Sequence, residues 1–152
     1  MDGLAFAIDG MSVSDGRHRD RERAMSLRVE TLTPPNTPTP IGPYNQAVLA
    51  GNFLFISGQI AINPVTGNIE TTDTLGETHQ VMQNIKAVLQ EAGMDFSHVV
   101  KTTIFLTDMA LFSIVNEVYG RYFSGNFPAR ETIAVKGLPK NVNVEISMIA
   151  AK

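Results

Sequence analysis

A chain of 152 residues, 43% hydrophobic and 18% charged, has the size and balance of one globular domain able to bury its own core. Its net charge of −3 argues against a nucleic-acid partner, and the absence of cysteine excludes disulfides, thiolate nucleophiles and cysteine-bound metals while fitting a reducing cytosol. No run approaches the roughly 20 apolar residues of a membrane helix, and the N-terminus "MDGLAFAIDG" is too short and too acidic for a secretory signal, so a cytoplasmic protein with no membrane partner is expected.

Residues 1–30 read as a tail. "SDGRHRDRER" alternates charges without an apolar period, and Met25 could start a shorter chain. The interleaved acids argue against a nucleic-acid-binding arm. Residues 31–152 form one domain. "TPPNTPTPIGPY" is a proline-rich loop or edge segment, because its prolines lack backbone donors, and regular structure starts near Ile41. Two strands follow, Ala47–Ala50 and Phe53–Ile60, joined by the tight-turn pair "GN". "NPVTGNI" is a second turn. Thr72–Ala92 is the best helix: Leu75, Val81, Met82, Ile85, Val88 and Leu89 keep helical spacing, Thr72 or Thr74 caps the start, and Gly93 stops it. "HVVKTTIFLTD" is β-branched and reads as a strand, with Asp108 capping or turning after it. "ALFSIVNEVYGRYF" is a second amphipathic helix with Leu111, Val115, Val118 and Tyr122 on one side. Strands at Thr132–Lys136 and Val142–Ala150, separated by "GLPKN", read as a closing hairpin.

This β-β-α-β-α-β-β order predicts an α+β fold with both helices on one face of a mixed sheet. The other sheet face is left uncovered and needs a partner, most simply another subunit. Two charges in the last hairpin stand out. Strand alternation puts Val142, Val144, Ile146 and Met148 on one face and Glu145 on the other; on the preceding strand Ile133 and Val135 share one face, Arg130 and Thr132 the opposite one. With the aliphatic faces toward the helices, Arg130, Thr132 and Glu145 all point away from them. Two readings are open: a salt bridge that fixes hairpin register, or a small-anion site in which arginine grips a carboxylate and glutamate handles a water. Taken singly, Tyr44 reads as a packed turn aromatic, Ser57-Gly58 as a bulge or turn, and Asn116 as a helix-surface amide. His18, His79 and His98 lack ligand-like spacing, so no metal is expected.

The motifs "IGPYNQAV", "FISGQIAINPVTGNI", "VMQNIKAVLQEAG", "VVKTTIFLTDM", "FPAR" and "LPKNVNVEISMIA" occur in the order seen in the Rid family of reactive-intermediate deaminases, the RidA/YjgF group, which the chain resembles over about residues 30–152. The resemblance implies a chorismate-mutase-like fold, a homotrimeric barrel with sites between subunits, and cofactor-free hydrolysis of small 2-imino acids, tautomers of enamines such as 2-aminoacrylate and 2-aminocrotonate, to 2-keto acids and ammonia. Carried over residue by residue, it makes Arg130 the carboxylate-binding and Glu145 the water-activating residue, with Tyr44, Ser57, Gly58, Asn116 and Thr132 lining the substrate. Many members have cysteine where this chain has Thr132, which removes any thiol-dependent role. Rival functions are a non-catalytic sensor of small carboxylates and the endoribonuclease or translation-inhibitor role of some relatives. The presence of Glu145 beside Arg130 favours the enzyme, and the acidic balance disfavours the nuclease.

Overall fold

The computed structural model describes residues 29–152. The tail expected up to residue 30 falls outside them except for its last two residues, which open a strand that sequence reading did not anticipate. The elements in chain order are β1 (Val29–Leu32), β2 (Ala47–Ala50), β3 (Phe53–Gln59), α1 (Thr74–Glu91), β4 (Val99–Leu106), α2 (Phe112–Gly120), β5 (Ala129–Ala134) and β6 (Val144–Ala151). They build one six-stranded sheet in the order β1-β2-β3-β6-β4-β5. All neighbours are antiparallel except β4 and β5, which are parallel because α2 carries the chain back over the sheet between them. The mixed sheet with its helices on one face is the expected α+β architecture.

The core lies between that face and the helices. Leu54, Ile104, Leu106, Val144 and Ile146 from the sheet meet Val81, Met82, Ile85, Val88 and Leu89 of α1 and Val115 of α2, all of them inaccessible to solvent or nearly so. Each such side chain contributes about 1.5–3 kcal/mol of apolar burial, so this layer fixes where the strands sit. The start of α1 corrects the threonine expectation. Asp73 is the cap, its carboxylate accepting from the Gly76 amide at 2.7 Å, while Thr78 Oγ1 donates back to the Thr74 carbonyl. At the far end Gly93 takes φ +66°, the left-handed stop expected of it. The second helix is shorter than predicted: Asp108 caps a 3-10 turn, Met109–Leu111, and α2 proper starts at Phe112.

The closing hairpin does not form. β5 pairs only with β4, and β6 runs between β3 and β4 at the centre of the sheet. The segment joining β5 to β6 passes the end of β4, where the Val135 amide bonds the Leu106 carbonyl (2.7 Å) and the Thr107 amide bonds the Asn143 carbonyl (3.1 Å). Parity changes as well. Arg130 stands in register with Thr102, and Thr102 with Met148; both neighbours are buried on the helix face. Glu145 stands in register with Phe105, and Phe105 with Ile133, on the open face. Arg130 and Thr132 therefore point to the helix side, and Glu145 to the other. Ile133, expected among the helices, is 45% exposed on the open face.

The open face carries Phe53 and Phe55, 49% and 45% exposed, with Ile149, Phe105 and Ile133 around a polar centre. At that centre Lys101 pairs with Glu131 at 3.0 Å, and Thr103 donates to the same carboxylate. Salt-bridging to Lys101 holds the Glu131 carboxyl below its ordinary value. No helix among the described residues is long and apolar enough to cross a membrane.

Candidate functional site

The residues singled out by sequence fall into two half-sites on one chain. The first is built on a break in β3. Its register with β6 slips between Ile56 and Gln59, so Ser57 and Gly58 together oppose Ser147. A bulge of this kind ends regular pairing and re-aims the chain. Here it brings the Gly58 backbone against the Glu145 side chain: a Cβ on Gly58 would lie 2.1 Å from Glu145 Oε1. Only glycine leaves room for the carboxyl in that place.

The bulge is tied to the loop that carries Tyr44. The Ser57 amide donates to the Gln46 carbonyl (2.9 Å) and Ser57 Oγ to the Asn45 carbonyl (2.6 Å). Gln59 Nε2 donates to Gln46 Oε1 (2.8 Å) and to the Ser57 carbonyl (3.0 Å), and Gln46 Nε2 reaches the Pro38 carbonyl. Below, Asn84 Nδ2 of α1 donates to the carbonyls of Ile60 and Ile62 (3.0 and 2.9 Å) and fixes the chain leaving β3. The result is a cavity of about 340 Å³ with Tyr44, Ser57, Gly58 and Glu145 in its wall and an apolar lining of Ile41, Ile60, Ile62, Pro38 and Pro139. No cation or donor among the described residues reaches the Glu145 carboxylate, and burial pushes its pKa above the ordinary glutamate value.

A buried acid sets the start of β6. Glu77 of α1, 5% exposed, accepts from the amides of Asn143 (2.6 Å) and Val144 (3.0 Å) and from Asn143 Nδ2 (3.1 Å). These residues immediately precede Glu145, so Glu77 fixes the backbone from which Glu145 projects.

The second half-site lies on the helix face at the β5 edge. Arg130 packs its guanidinium over the Tyr119 ring, 5.0 Å from the centroid, and over the Phe112 ring at 5.7 Å. No carboxylate among the described residues pairs with it. Asn116, Gly120, Phe127 and Pro128 complete with Tyr119 and Arg130 a cavity of about 460 Å³. The Tyr119 hydroxyl donates to Thr102 Oγ1 at 3.1 Å inside the core; burial pushes its pKa up, against smaller opposing effects of Thr102 and Arg130. Thr132 follows Arg130 on the same face, and its hydroxyl is buried without a hydrogen-bond partner among the described residues.

The structure thus groups Tyr44, Ser57, Gly58 and Glu145 in one cavity and Asn116 with Arg130 in another, with Thr132 beside Arg130. No ion pair joins Arg130 to Glu145. They lie on opposite faces with β4 between their strands, so the register-clamp reading is overturned. Sequence reading missed Gln46, Gln59, Glu77, Asn84, Phe112 and Tyr119. A signal existed for two of them: Glu77 and Asn84 fall on the same helical stripe as Val81 and Val88, and a polar side chain inside an apolar stripe needs a buried partner.

The endoribonuclease L-PSP family, which takes in the Rid and YjgF proteins, matches residues 34–152. This chain belongs to that family. Among curated relatives, a RutC family protein of Pyrococcus horikoshii is 50% identical over 123 residues, which span 81% of this chain and 98% of that protein. The chloroplastic Reactive Intermediate Deaminase A of Arabidopsis thaliana is 42% identical over 127 residues, 84% of this chain and 68% of that one. Among solved structures, a Rid family protein of Yersinia pestis superposes with a TM-score of 0.80 at 45% identity, covering 82% of this chain and all of that one. The Rid resemblance read from the motifs holds, and so does the α+β fold it implied.

Proposed function

We propose that this Rid-family chain hydrolyses small 2-imino acids, the tautomers of enamines such as 2-aminoacrylate, to 2-keto acids and ammonia, in homotrimers whose sites lie between subunits. The observation that carries the reading is the separation of the two half-sites. Among the described residues, one chain holds a guanidinium without an acid partner on the helix face of an edge strand and a partly desolvated carboxyl without a cation partner on the open face. Neither cavity contains both groups that the chemistry needs. An edge strand lies at the rim of its sheet, so Arg130 is placed to meet the Glu145 cavity of a neighbouring copy whose apolar open face is covered in the same assembly.

In such a site Arg130 grips the substrate carboxylate with its planar fork and sets the C=N carbon over Glu145. The Glu145 carboxylate takes a proton from water as the water oxygen bonds to that carbon, and the C=N π electrons move to nitrogen. The tetrahedral carbinolamine then collapses. Glu145 returns that proton to nitrogen, then takes the proton of the new hydroxyl and passes it to nitrogen as well. The C–N bond breaks with its electron pair going to nitrogen, ammonia leaves, and the O–H electrons close the C=O bond, so the former water oxygen becomes the keto oxygen. A carboxyl whose pKa burial raises is a stronger proton acceptor than an exposed glutamate, which suits this exchange. The Tyr44 hydroxyl and the main chain at Gly58 and Thr132 supply further contacts to substrate and carbinolamine.

Catalysis is favoured over carboxylate sensing because binding needs no desolvated acid facing the bound carbon. The test follows keto acid and ammonia from 2-aminoacrylate generated in situ. The wild-type chain accelerates release over buffer, and Arg130→Ala abolishes the acceleration while leaving the oligomer intact. Wild-type protein that gives no acceleration, or an Arg130→Ala variant that retains it, sinks the assignment.

A further inference from the structure

An arginine that binds substrate is commonly held in place by an acid, which competes with the substrate for the same donors. Among the described residues Arg130 has no such acid. Its guanidinium lies over two aromatic faces instead, Tyr119 at 5.0 Å and Phe112 at 5.7 Å, both on α2. A ring face attracts the cation through its quadrupole and leaves the N–H edge unused. The Tyr119 ring is itself anchored. Its hydroxyl bonds Thr102 Oγ1, and Thr102 is the residue of β4 that stands in register with Arg130. Ring, hydroxyl, Thr102 and the β4–β5 pairing close a circuit that begins and ends at Arg130. Tyr119 is 3% exposed and Thr102 fully buried, so the circuit is rigid by packing as well as by bonding.

We infer that Tyr119 and Phe112 are positioning residues: they hold Arg130 by its π-facing side so that its whole hydrogen-bonding edge is presented, unpaired, to the carboxylate of a small 2-oxo or 2-imino acid. The inference rests on the reading of Arg130 given above. It adds that carboxylate affinity at this site is set by aromatic faces on α2, which need not touch the substrate. Loss of the Tyr119 ring lets the guanidinium turn toward solvent and weakens binding. Loss of the hydroxyl alone keeps the face and releases its anchor, with a smaller effect.

The test measures calorimetric binding of 2-oxobutanoate, a keto acid that does not turn over, and deaminase kinetics, in wild type, Tyr119→Phe, Tyr119→Leu, Phe112→Leu and Arg130→Ala. Arg130→Ala should abolish binding. Tyr119→Leu should raise Kd and KM about tenfold with kcat within about twofold, the magnitude of a desolvated cation–π contact. Tyr119→Phe should fall between wild type and Tyr119→Leu. Phe112, at the longer distance and at the start of α2, carries the test independently if Tyr119→Leu does not fold; Phe112→Leu should raise KM about threefold. A purely structural role would lower the melting temperature of these variants and leave the KM of the folded protein unchanged. That result, with binding still abolished in Arg130→Ala, overturns the aromatic positioning and leaves the Arg130 assignment standing. Unchanged binding in Arg130→Ala overturns both.

Discussion

If each site takes Arg130 from one subunit and Glu145 from its neighbour, two inactive variants should restore each other. Arg130→Ala lacks the carboxylate grip and Glu145→Gln lacks the base, and each alone should lose about 10² or more in kcat/KM. Consider equal amounts of the two, mixed, unfolded and refolded together into cyclic trimers. A site is intact only where the subunit giving Arg130 is a Glu145→Gln chain and the one giving Glu145 is an Arg130→Ala chain. Each condition holds about half the time, so about one quarter of all sites regain both groups. Every mixed trimer then has one working site, whatever its composition, and homogeneous trimers have none. The magnitude follows from the strand register, which puts the two residues on opposite faces of their own sheet with β4 between them. The assay is 2-aminoacrylate deamination at a fixed total chain concentration, with differently tagged chains to verify that mixed trimers formed. Recovery near a quarter of wild-type activity supports the shared site. No recovery in verified mixed trimers refutes it, as does substantial activity in either variant alone.

Four further outcomes are expected. Gly58→Ala should fold, because the Glu145 carboxyl that its Cβ would meet at 2.1 Å is a side-chain end that can swing away; deamination should then fall about 10²-fold, the scale of an ångström of misplacement at a reacting group, as steady-state kinetics would show. Glu145→Gln should melt higher than wild type at pH 7 and above, with the gap closing in acid. Burial raises the folded pKa of Glu145, so its neutral form stabilises the fold at low pH and that contribution is lost as pH rises through the folded value; thermal melts across pH check the sign. Glu77→Ala strands the buried Val144 amide, at about 1–3 kcal/mol, and the part-buried Asn143 amide, at less, and should lower the melting temperature by about 5–10 °C, with Glu77→Gln losing less because it keeps one acceptor oxygen. Phe55→Asp puts a charge on the uncovered sheet face and should shift light scattering toward monomer; an unchanged oligomer would remove that face from the interface.

The parts of this fold that sequence showed are those where one chemistry dominates a long element. α1 has an apolar stripe of five turns, and its boundaries fell within two residues of the observed ones. β6 alternates buried and half-buried along its whole length because it is the central strand with a full neighbour on each side, so its parity was read correctly. β2 and β3 were legible through the Gly51 turn, whose φ of +60° suits glycine. β1 was lost because only Leu32 among its four residues is shielded, so there was no pattern to read. The false hairpin has a topological cause. A short connection between two strands usually joins neighbours, and nothing in residues 129–151 records that β4, distant in sequence, lies between them.

The geometry of the candidate site was not legible in the sequence, for the same reason. Parity arguments need a strand whose two faces differ in burial. β5 is an edge strand on which Ile133 is exposed and Arg130 is half-buried, so its apolar residues do not mark the inner face. Placing Arg130 and Glu145 on one face made each explain the other, first as a clamp and then as a pair across one cleft. Register removes that explanation. A guanidinium stacked on Tyr119 and Phe112, and a carboxyl desolvated against Gly58, are each left without a counter-charge among the described residues. Unpaired groups of this kind are costly to retain for structure alone, since an apolar pair would fill either place more stably. What accounts for both at once is a ligand that brings a carboxylate to the first and an electrophilic carbon to the second. Because the two lie on opposite faces of one sheet, the proposed site would hold that ligand between two copies of the chain.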